Sequence, residues 1–131
     1  MSALAQRLDE VGVADLVDEL AALPNLLREA LLGQSEARQR KEAAIASVKV
    51  LERGHRLAAI EAGKNEAQRE ALFEEYAAGD DTVREARLAS LEADRGLVQA
   101  QIEVEVVTQR IALARSTARL IEAVLLCAHE R

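Results

Sequence analysis

Cys127 and His129, two residues apart near the C-terminus, are of types that ligate metals. A closed tetrahedral site needs four such ligands, however, and Cys127 continues an apolar stripe, so the pair reads as part of a helix. His55 falls at a seam position of a long helical pattern and reads as a core or interface histidine. Gly63-Lys64 lacks the upstream glycines of a phosphate-binding loop, and no nucleophile elbow or zinc-protease motif occurs in the chain. The 23 carboxylates are spread as a helix surface is. No catalytic, cofactor-binding or metal-binding residue is therefore expected, and the chain reads as a protein that is not an enzyme.

Two groups of residues could instead bind a partner. Arg38, Lys49, Arg53 and Arg56 share one face of a helix, because eleven residues come close to three turns. They would suit phosphates or an acidic protein; the alternative, which the alternation of Arg and Glu favours, is a solvated coiled-coil flank pairing with acids of the last helix. The second group lies in "GKNEAQREALFEEYAAGDD", residues 63–81, which holds both aromatic side chains. Lys64, Asn65, Arg69, Phe73 and Tyr76 would form a partner-binding tip, with Phe73 and Tyr76 three apart on one helical face. Against that stands a structural role, in which Phe73 plugs the end of two packed helices and Tyr76 covers it.

The elements that must position these residues follow from composition and periodicity. Of the 131 residues, 50% are hydrophobic and 31% charged, with one proline, one phenylalanine, one tyrosine and no tryptophan. Such Ala-, Leu-, Glu- and Arg-rich chains form long helices, and the shortage of aromatics leaves only a thin aliphatic core. The net charge of −6 argues against coating nucleic acid by bulk charge. With no apolar run near the length of a membrane span and no secretory signal, the chain reads as cytoplasmic.

The boundaries are expected as follows. Short N-terminal helices occupy 1–24, with Leu4, Leu8 and Val11 on one face, a break at Gly12, and a restart at Pro24. A long helix runs over 25–62 with a seam through Ala37, Lys41, Ala44, Val48, Leu51, His55, Ala58 and Ala62. A structured tip spans 63–81: Gly63 ends the first helix, Asn65 and Gln68 form a capping box, a short helix stops at Gly79, and Thr82 with Glu85 caps the next. The last helix, 82–129, carries two apolar stripes. One runs through Leu88, Leu91, Arg95, Val98, Ile102, Val106, Gln109, Leu113, Thr117, Leu120, Val124 and Cys127. Its neighbour runs through Leu97, Val104, Val107, Ile111, Ala114, Ala118, Ile121 and Leu125.

Leu, Ile and Val number 12 in residues 1–33, 9 in residues 34–90 and 14 in residues 91–131. The expected fold is therefore all-α: a long antiparallel helical hairpin, coiled-coil-like, with the N-terminal helices packed at an apolar end. Such a hairpin buries little of its surface, so a homo-oligomer is expected through Leu16, Leu20, Ile111, Ile121 and Leu125.

Gly63-Lys64-Asn65, followed by Arg69 and Leu72, resembles a short motif in small, mostly uncharacterised coiled-coil proteins of tailed bacteriophages. The likeness covers roughly residues 40–120, with its distinctive part at the tip. It implies an accessory role in phage DNA metabolism or host takeover, in the host cytoplasm, and supplies no catalytic residues. The function expected is that of a non-enzymatic, oligomeric adaptor. Its alternatives are a single-strand or duplex DNA binder using the basic stripe, and a cytosolic helical chaperone holding a partner against the last helix.

Overall fold

The computed structural model describes Ala3, Gln6, Arg7 and residues 12–130. Leu4, Leu8 and Val11 lie outside the described residues. Helices α1 (Val13–Ala62), α2 (Glu66–Ala78) and α3 (Asp81–Glu130) make the protein all-α. None of the helices described is long and apolar enough to cross a membrane.

Gly12 stands in a turn immediately before α1, where its sequence position predicts a break. Its φ of +78° is a left-handed value that suits glycine, and its carbonyl accepts the Leu16 N–H at 2.9 Å, opening α1. Pro24 corrects an expectation: it lies inside α1 and restarts nothing. An interior proline costs about 3 kcal/mol. The leucines around it, Leu16, Leu20, Leu23, Leu26 and Leu27, all pack in one cluster. Each fully buried leucine contributes about 1.5–3 kcal/mol, so the cluster outweighs the proline and holds the helix through it. Gly33 and Gly54 are likewise carried inside α1.

The chain divides into two compact units, Met1–Gly33 with Gln101–Arg131, and Gln34–Ala100. In the first, Leu23, Ala30, Val107 and Ala114 are buried, and Leu16, Leu20, Leu26, Leu27, Val104 and Ile111 pack around them. Alanines at two of the four central positions let the backbones come close. Arg110 reaches Glu19 at 3.2 Å beside this core. The five residues expected to make an oligomer therefore divide. Leu16, Leu20 and Ile111 belong to the chain's own core, Ile121 is half-buried, and Leu125 is exposed.

In the second unit α1 and α3 run antiparallel, as the side-chain contacts Lys41–Asp94, Glu52–Arg87 and His55–Asp80 descend one helix while climbing the other. The core is Ala59, Phe73, Ala77 and Val83, flanked by Leu51, Leu72 and Tyr76. The predicted seam of α1 holds from Ala37 to His55 and then shifts. Ala59 is buried, whereas Ala58 and Ala62 are exposed. A step of four after His55 keeps the seam facing Phe73 and Val83, which a step of three would turn away.

The two stripes of α3 have opposite fates. Leu97, Val107 and Ala114 of the second stripe are buried, with Val104, Ile111, Ala118 and Ile121 partly so. The first stripe, from Leu88 to Val124, is exposed along its aliphatic positions.

Candidate functional site

The second unit builds its tip from the turn between α1 and α2. Gly63 donates to the Ala59 carbonyl at 2.9 Å, finishing α1. Arg69 then lies directly on Gly63: a Cβ there would meet Arg69 Cγ at 2.4 Å and the Arg69 backbone N and Cα at 3.0 Å. Arg69 Nε donates back to the Gly63 carbonyl at 3.2 Å. Glycine is needed here for close approach, and arginine to close the turn.

Asn65 caps α2 as predicted, its Oδ1 accepting the Gln68 N–H at 2.8 Å from an extended backbone. Gln68 Oε1 accepts the Lys64 N–H at 2.8 Å, one residue earlier than a capping box would have it. One orphan donor of the helix start, the Gln68 N–H, is satisfied by this exchange, and the Lys64 N–H of the turn is satisfied with it. Gly63, Asn65 and Arg69 are thus the residues that fold the turn.

Phe73 is the plug. It is 3% exposed, and the Arg56 guanidinium stacks over its ring at 4.0 Å from the centroid. That geometry is worth about 0.5–1 kcal/mol at an exposed site. Arg56 also approaches Glu70 at 3.8 Å. Phe73 is therefore not an exposed anchor, because α2 buries its apolar side on Ala59 and Val83. Tyr76 is half-buried in the same cluster. Lys64 is exposed.

Arg69 and Phe73 line one hollow and Tyr76 another, whereas Lys64 and Asn65 line neither. A groove of about 330 Å³ lies between α1 and α2, with Ala59, Ile60 and Phe73 on its apolar side and Arg56, Arg69, Glu66 and Glu70 around it. Tyr76 instead borders a shallow hollow with His55, Ala58, Glu75, Gly79, Asp80 and Asp81. Ile60, Glu66 and Glu70 are not among the residues expected from sequence, because a helix-face pattern has no means of joining them across the turn.

Asp80 is a further residue that periodicity did not single out. It caps α3 in place of Thr82: its Oδ1 accepts the Thr82 N–H at 2.9 Å, and its carbonyl accepts the Arg84 N–H at 3.0 Å. Its Oδ2 accepts a bond from His55 Nε2 at 2.7 Å. The bond from His55 holds the Asp80 carboxyl below the usual carboxylate range, helped by the Thr82 and Val83 backbone N–H groups and opposed by partial burial. His55 is thus a half-buried seam residue fixing the start of α3.

The basic stripe is exposed along α1. Arg56 is committed to Glu70 and Phe73, as described. Among the described residues, Arg38, Lys49 and Arg53 have no carboxylate within 4.0 Å, so the expected pairing with the last helix is not made by them. Lys41, a seam residue, makes such a pair instead, with Asp94 at 2.7 Å.

Compared with known proteins, the chain matches no family model, no curated protein and no solved structure.

Proposed function

We propose that the chain is a non-enzymatic, self-associating adaptor that binds a short segment of a protein partner in the groove beside α2. One observation carries this reading. The groove is lined by Ala59, Ile60 and Phe73 together with two guanidiniums and two carboxylates. An apolar side chain of the partner would bury against Ile60, which is 47% exposed, while the mixed-sign rim would align polar groups on either side. The groove stands on a helix fixed at its start by Asn65 and on its buried side by Phe73, so little ordering would be needed on binding.

The test is selection of peptides on the intact protein from a random display library, followed by fluorescence anisotropy of the winners. Replacing Ile60 with Asp should weaken them by about 10–100-fold, the worth of one buried aliphatic group. Peptides that bind Ile60→Asp as tightly as the original chain would overturn the groove reading.

A second reading, nucleic-acid binding, is favoured by the unpaired exposure of Arg38, Lys49 and Arg53. It predicts saturable oligonucleotide binding that falls with salt and is lost when these three become glutamate. The likeness of the turn to phage coiled-coil proteins supports an accessory role in phage DNA metabolism or host takeover under either reading.

A further inference from the structure

The exposed stripe of α3 in the first unit is a helix face of unusual composition. Leu113 and Leu120 are each 69% exposed, and Ile102, Val106 and Val124 are about half exposed. Between these aliphatics the strip holds only uncharged side chains, in a chain that is 31% charged. Arg110 stands at its edge and is already drawn to Glu19 at 3.2 Å. A solvated helix face normally alternates charges; charge depletion around a row of aliphatics marks the centre of an interface.

The geometry of the row says what covers it. Ile102, Leu113 and Val124 recur every eleven residues, close to three turns, so the row runs nearly straight along α3. A straight row fits another straight helix. The row is also symmetric about Leu113. Four residues to either side stand uncharged polar groups, Gln109 and Thr117; seven away stand Val106 and Leu120; eleven away stand Ile102 and Val124. Turned end over end about Leu113, the face meets itself with aliphatic on aliphatic and amide on hydroxyl. A two-fold interface requires this kind of self-complementarity. The edge arginine, Arg110, then meets Ser116 of the copy, three positions beyond Leu113, and not its own like charge.

We infer that a second copy of this chain docks antiparallel on this face, with Leu113 on the two-fold axis. The inference rests on the self-association in the reading above and assigns it a face; the groove beside α2 plays no part in it. Sedimentation equilibrium of the intact chain should give twice the 14.3 kDa chain mass. Leu113→Glu should give the single-chain mass with its circular dichroism unchanged, because an exposed side chain is being replaced. Leu120→Gln, a milder change, should weaken the dimer in the same direction.

A wild-type chain that stays monomeric at every concentration would overturn both self-association and this face, while peptide binding beside α2 keeps its own test. A dimer that survives Leu113→Glu would overturn the face alone. Orientation is read by cysteine cross-linking in a Cys127→Ser background. Val106→Cys mixed with Leu120→Cys should cross-link through a short bismaleimide, and neither should do so alone. Cross-linking of Val106→Cys to itself would overturn the antiparallel arrangement.

Discussion

Gly63 is the residue at which the least change should do the most harm. Its missing Cβ is filled by Arg69, including backbone atoms at 3.0 Å, so Gly63→Ala must push the turn apart. Overpacking of this kind costs about 1–3 kcal/mol, to be read as a lower midpoint in urea unfolding. An unchanged midpoint would mean that the turn gives way easily. Asp80 makes a different prediction, in pH. Its folded carboxyl is held below the usual range, mainly by His55, so the unfolded chain takes up the proton first. The stabilisation is therefore complete above the ordinary carboxylate range and is lost as pH falls from that range through the lowered folded value. Asp80→Asn keeps an oxygen for the Thr82 cap but abolishes this titration. The gap in melting temperature between wild type and variant should narrow as acid is added; parallel curves would remove Asp80 from this role.

At the scale of elements, α1 tolerates residues that oppose a helix. Pro24 is exposed inside it, and Pro24→Ala restores an N–H within reach of the Leu20 carbonyl. It should stabilise the chain by up to about 3 kcal/mol, less whatever entropy the proline removed from the unfolded state. Gly54 and Gly96 lie in helices with open space around the missing Cβ, and Gly→Ala at each should add about 0.5–1 kcal/mol. Thermal melts of the three variants, singly and combined, check both statements.

The same elements show how far the sequence could be read. The Asn65–Gln68 cap and the stops at Gly63 and Gly79 were legible because capping chemistry is local. The cap of α3 was not: Asp80, Asp81 and Thr82 are all good capping residues, and a bond from His55, 25 positions earlier, engages one of them. Nor did periodicity say which stripe of α3 turns inward, since both stripes have the same period. The leucines facing them across the chain decided that, just as they overrode Pro24.

For the whole molecule, self-association through α3 predicts a melting temperature that rises with protein concentration, an effect Leu113→Glu should abolish. A final consequence concerns the order in which the chain assembles. The second unit is one contiguous stretch, Gln34–Ala100, while the first joins two stretches from opposite ends of the sequence. Its ion pair Glu19–Arg110 spans 91 positions, against 25 for the His55–Asp80 bond. Closing a long disordered loop costs entropy before any contact repays it. Residues 34–100 should therefore acquire amide protection first in pulse-labelled refolding, and the leucine cluster around Pro24 only afterwards.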